Sequence, residues 1–116
     1  MSKSEKEYLK HMVDEINYLL DSSKEISEDR FMRDATLQRA YTRSLEIIGE
    51  AVKGLPEEFR SKYPDMDWKG MAGMRDRLIH HYFGVRLDRV WEVVKEDIPE
   101  LKKQIQEILE SLDKIA

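Results

Sequence analysis

Residues 9–20, LKHMVDEINYLL, decide the fold. Leu9, Met12, Val13, Ile16, Leu19 and Leu20 recur at steps of three and four, which at about 100° per residue lays one apolar stripe along a helix. Asp21-Ser22-Ser23 closes it. The same rhythm recurs further on. Ser27 or Asp29 can cap a second, long helix through Phe31, Leu37, Tyr41, Leu45, Ile48 and Val52, stopped by Gly54, as a left-handed terminal residue, and by Pro56. Residues 56–67, PEEFRSKYPDMD, read as a turn of helix and a loop. A third helix opens near Asp67 and carries Met71, Met74, Leu78 and Ile79, ending before Gly84. Each of Gly70 and Gly73 costs that helix about 1 kcal/mol, so something else should favour them, close approach of another backbone being one candidate. A fourth segment, Leu87 to Glu96, turns Val90, Trp91 and Val94 inward. Asp97 then caps a last helix with Pro99 in its first turn and a stripe of Leu101, Ile105, Ile108, Leu109 and Leu112. No strand-like alternation of useful length interrupts this pattern. The expectation is an all-α bundle of four to five helices.

The composition agrees. At 116 residues the chain is one domain's worth, 1–116, and 41% apolar with 38% charged residues suits amphipathic helices around a small core. Burial at this size is marginal, so the long stripes point to a homodimer. Mean hydropathy is −0.67, and no apolar run approaches the roughly 18–20 residues that span a bilayer. The opening MSKSEKEYLKHM lacks the apolar stretch of a secretory signal. A cytoplasmic protein without membrane contact is expected. With no cysteine and three histidines, neither a metal nor another cofactor is expected. Net charge is −4, against a general coating of nucleic acid. Between Arg60 and Val90, however, seven basic residues face four acidic ones, a local excess of +3 that leaves −7 for the rest.

That basic stretch holds the densest chemistry, MRDRLIHHYF, Met74 to Phe83. An arginine can grip a phosphate through two parallel charge-assisted bonds, and a histidine can move protons near neutral pH. These are the parts needed to cut RNA without a metal: a base frees the 2′-oxygen to attack the adjacent phosphate, and an acid protonates the departing 5′-oxygen. Asp76 and His80 stand one turn apart on one helix face, so Asp76 can hold the imidazole and favour its protonated form. Arg75 and Tyr82 differ by only about 20° around the helix, whereas His80 lies about 140° from Arg75. Convergence of Arg75 and His80 therefore needs a helix end near His80, a long reach by Arg75, or a second copy. A plainer reading stays open: histidines at a helix C-terminus interact favourably with its dipole, Arg75 pairs with an acidic neighbour, and Tyr82 is a core-edge aromatic. Tyr8, Tyr18, Tyr41, Trp68 and Trp91 read as packing, Glu100, Glu107 and Glu110 as a solvated face, and His11 as a surface residue.

Arg75-x4-His80-x-Tyr82 resembles the R-x4-H-x-Y signature of the HepT-like toxins in the HEPN superfamily. Gln38-Arg39-Ala40, Ile47-Ile48-Gly49-Glu50-Ala51, Trp68, Gly73-Met74-Arg75, Tyr82-Phe83 and Val90-Trp91 are similar to that family's pattern, in the family's order. The resemblance implies a homodimeric HEPN-type bundle whose two motifs face a shared cleft. It also implies a metal-independent ribonuclease, the toxin of a type VII-like toxin–antitoxin pair with an MntA-type nucleotidyltransferase antitoxin. On that resemblance Arg75 binds and polarises the phosphate, His80 is the acid or base, and Asp76 supports it where the family often has Asn or another polar residue. Tyr82 matches the tyrosine that such antitoxins modify with AMP, a bulky anion that would block RNA at the cleft. Arg77 and His81 are further candidates for RNA contact, His81 standing where a small residue is frequent. The alternative is a non-catalytic helical module that binds a nucleotide or a nucleotidyltransferase through the same cleft.

Overall fold

The computed structural model describes the backbone of residues 4–80 and 86–115, with side chains for 4–74 and 86–114. All its regular structure is helical: α1 (Glu5–Ser23), α2 (Glu28–Met32), α3 (Ala35–Gly54), α4 (Glu57–Arg60), α5 (Trp68–His80), α6 (Leu87–Glu92), a π-helical turn (Val93–Asp97) and α7 (Ile98–Ile115). Because α2 and α4 are single turns, and α6, the π turn and α7 form one rod, four long helices build the expected all-α bundle.

Three features differ from the sequence reading. The second helix is broken. Ser27 caps α2 by accepting the Arg30 N–H at 3.1 Å, and the Arg33 N–H closes it on the Arg30 carbonyl. Asp34 then starts α3 by accepting the Leu37 N–H at 3.1 Å. Conversely, Asp97 caps nothing, because helix runs through it. Pro99 has no N–H and its ring crowds the carbonyl four residues back. The chain widens into a π turn just before it, with the Ile98 N–H donating to the Val93 carbonyl five residues back. At about 1.5 Å per residue the unbroken rod accounts for most of the 46 Å long axis. Finally, Gly54 is not left-handed: no glycine among the described residues has a positive φ. A Cβ there would strike the ring of Tyr8, so the glycine admits an aromatic from α1.

The helix order follows from paired ends. α1 and α3 are antiparallel, with Tyr8 against Gly54 at one end and Ser22 hydrogen-bonded to Tyr41 (2.7 Å) at the other. α1 and the rod are antiparallel too: Lys6 pairs with Asp113, and Lys95 donates to the Ser23 carbonyl. The expected stripes supply the core, with Leu9, Met12, Ile16 and Leu19 of α1 meeting Tyr41, Leu45, Ile48 and Val52 of α3, and Val94, Ile98 and Ile105 of the rod. Phe31 stacks on Tyr41 and leans on Trp91, fastening α2 and α6 to the first half of α3. Among the aromatics read as packing, Tyr18 keeps 40% of its surface exposed and meets Tyr41 in a T-shaped pair. His11, Glu100, Glu107 and Glu110 are exposed as expected. No described helix is long and apolar enough to cross a membrane.

Candidate active site

The motif rides on α5, and its N-terminal anchor is well defined. Asp67 caps the helix by accepting the Gly70 N–H at 3.0 Å. The buried Trp68 indole N–H donates to the carbonyls of Arg60 (3.0 Å) and Tyr63 (3.1 Å), pinning the start of α5 to the turn after α4. The reason for Gly70 is a carboxylate rather than another backbone, since a Cβ there would collide with the Asp67 side chain that caps it. Beyond this point Met71, Ala72 and Met74 lie half-buried against the core.

α5 packs along α3. It starts beside the C-terminal end of α3, and α6, which follows it in the chain, is seated on α2 and the first half of α3. α5 therefore runs antiparallel to α3. Its 13 residues carry the backbone back roughly 18 Å, bringing His80 alongside the N-terminal half of α3.

Arg75, Asp76, Arg77 and His80 all lie on α5, in unbroken helical backbone from Trp68 onward. Their side chains, with those of Leu78 and Ile79, fall outside the described residues. So do His81, Tyr82 and the expected helix end before Gly84. The continuous helix fixes their register: Asp76 and His80 share a face, while Arg75 and His80 stay about 140° apart. No helix break falls between Arg75 and His80 to bring the pair together.

The cations of α2, the first half of α3 and α6 are all arginines, interleaved with the carboxylates of Glu28, Asp29, Asp34, Asp88 and Glu92. Every arginine side chain that the structure describes, except Arg60, lies here: Arg30 and Arg33 at α2, Arg39 and Arg43 on α3, Arg86 and Arg89 at α6. Arg86 reaches Asp88 at 2.7 Å, and this bond holds the Asp88 carboxyl below its ordinary range and raises Arg86. Arg89 pairs with Glu92 at 2.6 Å. Part of the local positive excess read from the sequence is thus matched by exposed carboxylates. The α2 and α3 arginines escaped that reading because acidic residues interleave with them; their signal was the use of arginine without lysine from Arg30 to Arg43.

The model of the family described as "Ribonuclease HepT-like" matches residues 9–108. The chain belongs to the HepT-like ribonuclease family. Its relatives cover it almost end to end. It is 52% identical over 108 residues to "Putative RNase TTE0752" of Caldanaerobacter subterraneus, covering 93% of this chain and 96% of that protein. "Probable ribonuclease HepT" of Thermococcus cleftensis is 43% identical over 108 residues, covering 93% of this chain and 98% of its own. "Gamma-glutamylcyclotransferase and putative RNase MJ0434" of Methanocaldococcus jannaschii is 51% identical over 114 residues, 98% of this chain but 51% of that protein, so the HepT-like chain spans about half its length. No solved structure matches this HepT-like chain.

Proposed function

We propose that this chain is a metal-independent endoribonuclease, a single HepT-like unit that cuts RNA by 2′-oxygen attack. The observation that carries the reading is the HepT-like match across residues 9–108, within which Arg75-x4-His80 lies on one continuous helix. Arg75 holds the scissile phosphate and offsets the charge that builds on it. His80 moves the proton, either taking it from the 2′-hydroxyl or giving it to the departing 5′-oxygen. Asp76, one turn from His80, orients the imidazole, and Arg77 and His81 contact RNA nearby. Because Arg75 and His80 of one chain sit about 140° apart around α5, the complete site is shared between two copies in a homodimer. The protein is the toxin of a type VII-like pair, held in check when a nucleotidyltransferase antitoxin adds AMP to Tyr82.

The test is RNA cleavage by the purified, unmodified protein in EDTA. Wild type cuts; Arg75→Ala and His80→Ala each lower the rate by about 10²-fold or more. Undiminished cleavage by both variants removes these assignments. Intact RNA with wild type, while a nucleotidyltransferase still binds, favours the non-catalytic module instead. The same preparations test the rest: wild type sediments at twice the 13.8 kDa chain mass, and each AMP adds about 329 Da, an increment absent from Tyr82→Phe.

A further inference from the structure

The outer strip of α3 runs Arg39, Arg43, Glu46, Glu50, Lys53, all exposed except the half-buried Glu46. These residues follow one another at three- and four-residue steps, so they share a face. The strip is basic first and acidic after, and its basic half lies at the end of the bundle to which α5 carries His80. Arg30 and Arg33 of α2 and Arg86 and Arg89 of α6 lie at the same end of the bundle, since α2 packs on both α3 and α6. Five of the six arginines there bind a carboxylate: Arg30–Asp34, Arg33–Asp29, Arg43–Glu46, Arg86–Asp88 and Arg89–Glu92. Their guanidinium side chains nevertheless remain 60% to 74% exposed. Arg33–Asp29, Arg86–Asp88 and Arg89–Glu92 are exposed on both sides, and such pairs contribute little, so a phosphate can compete there for the guanidinium. Arg39 needs no exchange: it is exposed and has no ion-pair or hydrogen-bond partner among the described residues.

We propose that this arginine-rich end, formed by α2, the first half of α3 and α6, is the docking surface for single-stranded RNA approaching α5, with Arg39 its principal phosphate contact. The proposal rests on the ribonuclease reading above and adds where the substrate lies. Its basis is chemical. The guanidinium fork matches phosphate oxygens two at a time, and the chain gathers six of its nine arginines into the three segments that meet here, with Arg75 and Arg77 on α5. Backbone docking of this kind discriminates little between bases, so the surface sets affinity and direction rather than the cleavage sequence.

The experiment measures binding of an uncleavable, 2′-O-methylated single-stranded RNA oligonucleotide by fluorescence anisotropy over a salt series. Cleavage of the unmodified oligonucleotide is followed alongside. Arg39→Glu weakens binding about tenfold, and Arg39→Ala weakens it less while lowering the salt slope by about 0.7, the value for one phosphate contact on a single strand. In cleavage Arg39→Ala raises KM and leaves kcat within about twofold, as loss of uniform binding does. Lys103→Glu, the same charge change on α7, leaves binding within about twofold. Thermal melts of all three variants match wild type, as expected of exposed positions. Unchanged RNA binding by Arg39→Glu overturns the proposal, as does an equal loss in Lys103→Glu. So does a loss in Arg39→Glu confined to nucleotidyltransferase binding, which would make this end a protein-docking surface. RNA that binds with the expected Arg39 dependence but is never cut leaves the docking surface standing and removes the nuclease reading. Cleavage with KM and salt slope indifferent to Arg39 does the reverse.

Discussion

Asp67 and Gly70 act as a pair. The carboxylate receives the Gly70 N–H, and a methyl group on Gly70 would occupy the space that the carboxylate fills. Asp67→Ala therefore destabilises the protein by about 1 kcal/mol, the usual loss for an N-cap. Gly70→Ala alone is close to neutral, because about 1 kcal/mol of helix propensity is offset by displacement of the cap. In the Asp67→Ala background the same change stabilises by about 0.5–1 kcal/mol. Urea denaturation of the four proteins measures this coupling, and an equal effect of Gly70→Ala in both backgrounds would contradict it. The sequence marked Gly70 as a burden on its helix but misplaced the cause. Apolar spacing says which face is buried; it says nothing of where a polar side chain three residues earlier turns back. Gly54 is a similar case, its neighbour Tyr8 lying 46 residues away in the chain.

At the scale of elements, Asp34 decides that α2 and α3 are two helices. The Leu37 N–H bonded to its side chain holds the Asp34 carboxyl below its ordinary value of 3.8, and Arg30 adds to the effect. A carboxyl whose folded pKa is depressed stabilises the fold above its unfolded pKa and loses that contribution as pH falls through the folded value. Asp34→Ala is therefore less stable than wild type at neutral pH. The gap between their urea midpoints narrows once the pH drops below 3.8. A gap that stays constant down to strongly acid pH would show that the charged cap contributes nothing. The break at Arg33–Asp34 was hidden because Phe31, Leu37, Tyr41 and Leu45 keep facing the core across it. At the other junction Asp97 and Pro99 carry the signature of a helix start, yet Val93, Val94, Ile98 and Leu101 are all buried against α1 and its neighbours. Packing kept the rod whole and left the proline to be absorbed by a π turn.

For the molecule as a whole, the bundle and its core were legible because each long helix states its buried face in its own spacing. The Arg75-x4-His80 motif was legible for the same reason, being contiguous on α5. The arginine-rich end was not, since it is assembled from segments around residues 30, 40 and 88 that meet around the Phe31, Tyr41 and Trp91 ring contacts. The resulting architecture places α5, which carries the motif, against α3 and leads it toward the arginine-rich end. The chemistry proposed for α5 is reported most directly by the ends left on the cut RNA. With wild-type protein in EDTA, attack by the 2′-oxygen leaves a 2′,3′-cyclic phosphate on one fragment and a 5′-hydroxyl on the other, and His80→Ala leaves neither. Fragments ending in a 3′-hydroxyl and a 5′-phosphate would contradict it, as would cleavage that stops when divalent ions are removed.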